Sequence, residues 1–266
     1  MDSFFVWIFL GAVISGASCA LIGVYLVGLR LPFLGLSISH AATAGIVLCL
    51  LLGFPAVWPA WIFASLVAVS LAGVRPERSR IDSNVALSVL FSLMLGLTFL
   101  GIGLIDTSRS EVLALLWGNI LFVRKGQVLA IAAVGLVFGL FAWLFNKELK
   151  VLLFSRTLAW ATGLHELFVY GLFLGLTGWT LAVNLPLVGG LLIFCLITNP
   201  AAAAYQVCNG HRALIGLSIL FGVLSGALGF AASYLLDLPT GACIVTVSAL
   251  IFGGAVLYRR LSGRRD

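Results

Sequence analysis

The chain has 266 residues, 62% of them hydrophobic and only 9% charged, with a formal net charge of +6. Soluble domains carry about 25% charged residues, so this composition excludes a large soluble domain and predicts a polytopic membrane protein. The basic residues sit in short loops, with no basic stripe interleaved with aromatics, which argues for membrane orientation and against nucleic-acid binding.

Met1-Asp2 brings no basic region ahead of the first apolar run, which argues against a cleaved signal peptide. Gly16-Ala17-Ser18-Cys19 has a faint likeness to a lipoprotein cleavage site, but the missing charge favours an ordinary first span. A hydrocarbon core of about 30 Å needs about 20 apolar residues of helix. On that measure, spans fall at 4–28, 34–53, 56–73, 84–104, 127–145, 166–184, 186–206, 213–236 and 241–258. The fold class is therefore all-α: one domain over 1–266, a bundle of about nine (eight or nine) transmembrane helices. Leu31-Pro32, Gly53-Phe54-Pro55, Asn184-Leu185-Pro186 and Asp237-Leu238-Pro239-Thr240-Gly241 punctuate the joints.

The basic residues alternate with the spans. Arg30 follows the first, Arg75, Arg78 and Arg80 the third, and Lys147, Lys150 and Arg156 the fifth. Arg212 follows the seventh, and Arg259, Arg260, Arg264 and Arg265 the ninth. Odd-numbered joints thus hold all but three of the fifteen Lys and Arg, the exceptions being Arg109, Arg124 and Lys125. The odd joints are expected to be cytoplasmic, with the N-terminus outside and the C-terminus inside.

Two segments are not simple spans. Residues 110–122 are too short to cross and are broken by Gly118-Asn119, which suits a short re-entrant or interfacial helix on the outer side. Residues 146–164 mix Lys147, Glu148, Lys150 and Arg156 with Leu153, Phe154, Leu158 and Trp160. That pattern predicts an amphipathic cytoplasmic helix, either lying on the membrane or docked into a partner's groove. Gly135/Gly139, Gly171/Gly175 and Gly222/Gly226 have the spacing of close helix packing, within one chain or between two.

Ionisable or polar groups at membrane depth are functional candidates. His40 lies about two turns into the second span, in the thin, small-residue stretch from Leu34 to Gly45. Its imidazole is either a transition-metal ligand or a hydrogen-bonded link to a neighbouring helix. Asp237, Asp82, Asn184 and Asn199 favour cap or turn roles, and His165 and His211 favour solvated loop edges. Cys19, Cys49, Cys195, Cys208 and Cys243 have neither metal nor redox spacing. There is no Gly-x-Ser-x-Gly, no His-Glu-x-x-His and no phosphate-binding Gly-x-x-x-x-Gly-Lys, so any pumping draws its energy from another chain.

Five stretches resemble, in order, the permease subunits of metal-type ABC importers for zinc, manganese and iron. Gly35-Leu36-Ser37-Ile38-Ser39-His40-Ala41 is similar to that family's Gly-Asp-Ala-Leu-Ser-His-Ala. Leu116-Trp117-Gly118-Asn119-Ile120-Leu121 is similar to Leu-Phe-Gly-Asn-Ile-Leu, and Leu158-Ala159-Trp160-Ala161-Thr162-Gly163 to the cytoplasmic Leu-Ala-x-Ala-x-Gly. Leu196-Ile197-Thr198-Asn199-Pro200 with Ala201 to Ala204 resembles Leu-Leu-Ile-x-Pro-Ala-Ala-x-Ala, with one residue extra. Tyr234-Leu235-Leu236-Asp237-Leu238-Pro239-Thr240-Gly241 resembles Tyr-x-x-Asp-Leu-Pro-Ser-Gly.

The resemblance implies a homodimeric plasma-membrane permease and no enzyme activity in this chain. It implies a cytoplasmic ATPase, an extracytoplasmic solute-binding protein and a transported zinc or manganese ion, with iron next. On the same ground Phe154 to Gly163 holds the coupling helix that docks on the ATPase, within a coupling segment at about 147–164, and Leu158, Ala159, Ala161 and Gly163 are the candidate coupling residues. Arg109, Arg124 and Lys125 are candidates to meet acidic residues of the binding protein. His40, Asp237 and Asn199 are the candidate pathway residues. The family aspartate four residues before the histidine is Leu36 here, and Ala44 replaces a proline. Three explanations stay open: a carboxylate comes from elsewhere, the cargo is a chelate, or the pair is dispensable. A chelate permease, and a self-contained channel, carrier or intramembrane enzyme, are the alternative readings.

Overall fold

The computed structural model describes residues 3–53, 58–72, 82–105, 125–161, 163 and 165–262. In chain order the helices are α1 (Ser3–Gly28), α2 (Pro32–Leu51), α3 (Trp58–Ala72), α4 (Ser83–Leu104) and α5 (Lys125–Leu144). Two short helices follow, α6 (Asn146–Phe154) and α7 (Arg156–Ala161). The last four are α8 (Glu166–Val188), α9 (Gly190–Val207), α10 (His211–Leu236) and α11 (Thr240–Leu261). Each predicted span holds one helix, and no strand occurs among the described residues. Among the described residues seven helices are long and apolar enough to cross a membrane: α1, α2, α4, α5, α8, α10 and α11. α3 and α9 are shorter apolar helices.

Local chemistry sets the ends. Pro32 opens α2, where its missing N–H is not needed. Asp82 caps α4, its carboxylate accepting from the Asn84 amide at 2.8 Å. Asp237 closes α10 in the left-handed conformation, φ +51°. The basic helix ends gather on one side: Arg30 and Arg156 line one crevice, and Lys147, Lys150 and Arg212 line another.

Two boundaries differ from the sequence expectation. The amphipathic segment 146–164 is two helices, because the Ser155 hydroxyl accepts from the Leu158 amide at 3.3 Å and so starts α7 afresh. Pro186 does not end α8. It removes one backbone donor inside the span, and the break falls at Gly189, whose φ of +90° suits glycine alone. Asn184 and Asn199 therefore sit inside α8 and α9 and are not caps.

α2 and α8 form the centre and are mostly buried, whereas α11 at the periphery is mostly not. α2 can sit there because its residues are small and its hydroxyls donate to carbonyls. Ser37 reaches Leu87 O of α4 at 2.8 Å, and Thr43 reaches Ser39 O at 3.1 Å. The three glycine pairs all pack within the chain. Gly222 and Gly226 of α10 face the backbone of Gly16 and Ala12 in α1. Gly171 and Gly175 face Ala72 and Val69 of α3, and Gly135 and Gly139 face Ser18 and Leu21 of α1. Small residues permit such approaches, which suits a bilayer, where lipid supplies no hydrophobic force between helices.

Candidate transport site and coupling segment

His40 is fully buried, eight residues into α2 and so about 12 Å along it. The helix begins two residues earlier than the sequence suggested, which sets the histidine slightly deeper. Its ring meets Phe91 of α4 edge-on, with centroids 5.0 Å apart. On another side is Gly190, the first residue of α9: a Cβ built there would lie 3.8 Å from His40 Cε1 and 3.6 Å from Thr43 Oγ1. The Ser39 hydroxyl donates to the Gly190 carbonyl at 3.3 Å and ties the α8–α9 break to α2.

Neither ring nitrogen of His40 has a hydrogen-bond partner among the described residues. A hydrogen-bonded link between helices is therefore not what holds it. A neutral imidazole has one N–H and one lone pair, and an unpaired buried polar group costs about 1–3 kcal/mol.

The other candidates do not converge on it. Asn199 donates from Nδ2 to Ser248 Oγ of α11 at 2.9 Å, a link between α9 and α11. Asp237 is exposed at the end of α10. No group of three His, Cys, Asp or Glu could hold a metal ion among the described residues. Lys125 opens α5, its Nζ 5.1 Å from the centre of the Trp7 ring. Arg109, Arg124 and the motif Leu116 to Leu121 lie outside the described residues. His165 is exposed, as expected, whereas His211 is half-buried under the Tyr25 ring, centroids 6.1 Å apart.

In the coupling segment, Leu158 is exposed and Ala159 fully buried, both on α7. Ala161 ends that helix, and Gly163 follows at φ +77°, with nothing within 4 Å of its Cβ position among the described residues. What anchors α7 is visible only in the fold. Arg156, its first residue, binds Glu166, the first residue of α8, with Nη2 2.6 Å and Nε 2.7 Å from the same carboxylate oxygen. Nη2 also donates to the Ala72 carbonyl at the end of α3, at 3.0 Å, and the guanidinium lies 4.2 Å above the Tyr170 ring. One arginine thus joins α3, α7 and α8. The partners are ten residues apart across a helix break, so no helical spacing could announce the pair.

Removing one member of a buried ion pair costs about 3–5 kcal/mol, because the other charge stays buried. Glu166→Ala is expected to destabilise the protein by about 3 kcal/mol, since Arg156 keeps a little exposure. Arg156→Lys should cost less but not nothing, as it keeps the charge and loses the fork and the ring stacking. Thermal unfolding of the purified variants in detergent checks both.

The described residues thus form a bundle of long apolar helices with His40, an imidazole unpaired among them, at its centre. A model of the ABC 3 transport family matches residues 1–259, and the chain belongs to that family. It is the membrane permease of an ABC transport system. It is similar to the chelated iron transport system membrane protein YfeD of Yersinia pestis, 30% identical over 258 residues, covering 96% of this chain and 85% of that one. The manganese transport system membrane protein MntC of Listeria monocytogenes is 31% identical over 251 residues, covering 93% and 88%. Among solved structures, PsaBC from Streptococcus pneumoniae in complex with Fab aligns with a TM-score of 0.84 and 27% identity, over 99% of this chain and 96% of that one.

Proposed function

We propose that this permease carries a divalent transition metal, manganese or zinc first and iron next, into the cytoplasm, driven by a separate ATPase. The observation that carries the reading is His40: a buried imidazole with no partner for either nitrogen, in a family whose relatives are named for manganese and chelated iron. Imidazole suits this class of ion, and a site with few ligands suits passage, because a tightly held ion cannot leave.

All nine apolar helices span the plasma membrane in this reading, the shorter α3 and α9 included, and the basic end is cytoplasmic. The N-terminus is then outside and the C-terminus inside. Two copies of the chain form the pathway, with α7 docked on the ATPase through the face that includes Leu158. A solute-binding protein delivers the metal at the opposite end, near Arg109, Arg124 and Lys125. His40 is enclosed within its own protomer, so the cargo reaches it when α4 and the α8–α9 break part. The Gly189 joint and the single Ser39–Gly190 hydrogen bond make that break the natural place to move.

The reading is tested by metal accumulation in cells that depend on this system. Deleting the partner ATPase gene is expected to lower uptake of the transported metal at least tenfold, measured by elemental analysis of washed cells. Unchanged uptake, or metal flux into liposomes holding this chain alone, overturns it.

A further inference from the structure

At the basic end, a crevice of about 920 Å³ opens between α1, α5, α6 and α10. Its rim carries Lys147 and Lys150 from α6 and Arg212 from α10, against one carboxylate, Glu148. None of the three cations has an ion-pair partner among the described residues. Its inner wall is apolar: Leu21 of α1 with Ile215 and Ile219 of α10. Tyr25 also lines it, 1% exposed, and its buried hydroxyl has no hydrogen-bond partner among the described residues. Trp143, on the flank, is 73% exposed at the end of a membrane-length helix. Tryptophan there marks the boundary between hydrocarbon and headgroups.

We infer that this crevice is a binding site for an anionic glycerophospholipid drawn from the adjacent leaflet. Excess positive charge on the rim matches a phosphodiester, and basic pockets between helices at this depth hold such headgroups. The apolar wall continues the bilayer and takes the start of the acyl chains, which a free phosphate would leave unused. The volume lies in the range of small-molecule sites. The inference needs only that α1, α5 and α10 lie in a bilayer and is independent of the cargo. A bound lipid would fasten α6, and through it the coupling segment, to α1 and α10.

Native mass spectrometry of the full chain tests the site, after exchange into mixed phosphatidylethanolamine, phosphatidylcholine and phosphatidylglycerol. Wild type should retain phosphatidylglycerol selectively, with the affinity falling as salt rises. Each basic residue near an anionic lipid contributes about fivefold, so the triple variant Lys147→Gln, Lys150→Gln, Arg212→Gln should lose at least tenfold. Ile219→Trp, which fills the apolar wall and leaves the charges, should also displace the lipid. It keeps the test decisive if the triple variant does not fold. Equal retention of phosphatidylcholine by wild type, full competition by millimolar inorganic phosphate, or unchanged retention in Ile219→Trp overturns the inference. So does loss of ATPase binding, with lipid retention intact, in the triple variant.

Discussion

His40→Phe is expected to give a permease that is more stable and nearly inactive. The substitution removes two buried polar atoms that have no partner and replaces them with carbon of similar shape beside Phe91. Relieving an unsatisfied buried group is worth about 1–3 kcal/mol, so the unfolding temperature should rise by a few degrees. Transport should fall, because no nitrogen remains for the metal. Changing even the outer partners of metal ligands costs about 10–100-fold, so losing the ligand should cost at least that in uptake. The two readouts separate the possible roles. A histidine that served only to pack would lose stability on replacement and leave uptake per folded molecule unchanged. Metal accumulation normalised to permease in the membrane, with thermal unfolding of the same variant, decides between them. His40→Ala is the weaker probe, since it leaves a cavity in a fully buried place and confounds ligand loss with packing loss.

Most spans were legible because length and hydropathy set them. A bilayer demands about 20 apolar residues, and among the described residues seven of the nine runs became helices long enough to cross, while 56–73 and 186–206 became the shorter α3 and α9. Glycine pairs were legible as close contacts, though only the fold shows that Gly222 and Gly226 meet α1 of the same chain. Two joints were misplaced for an identifiable reason. Proline was read as a stop at Pro186, but a buried span can absorb one lost donor, whereas Gly189 takes a backbone angle that no other residue tolerates well. Ser155 was read as one residue of a continuous amphipathic helix, while its hydroxyl caps a new one. At the site, the residue was legible and its surroundings were not. His40 stands out in an apolar run, but Phe91, Gly190 and the Ser39 link come from helices 51 and 151 residues away in sequence. The Arg156–Glu166 pair was hidden for the same reason. Charge order along the chain names the residues and not the partners.

Gly222→Leu should prevent most of the protein from folding, whereas Gly216→Leu, less than two turns earlier on α10, should be nearly silent. A Cβ at Gly222 would land on the Gly16 carbonyl and 2.6 Å from Ala20 Cβ, and a Cβ at Gly16 would land on the Gly222 carbonyl. The obstruction is backbone on both sides, so no rotamer change relieves it, and α1 and α10 must move apart. Gly226 faces the Ala12 carbonyl in the same way, one turn further along, which rules out a local pivot. Overpacking a tight core costs about 1–3 kcal/mol even where side chains can yield, and here they cannot. Separation also strips Ser218 of its bond to the Ala20 carbonyl, 2.9 Å, leaving a buried hydroxyl unpaired. At Gly216 nothing lies within 4 Å among the described residues, and the new side chain meets lipid or solvent. Helix propensity even favours leucine over glycine there by about 0.5–1 kcal/mol. The fraction of each variant that elutes as a single species after detergent extraction measures the contrast. Equal recovery of the two would mean that α1 and α10 do not meet along Gly16 and Gly222, and the arrangement of the bundle around α1 would have to be redrawn.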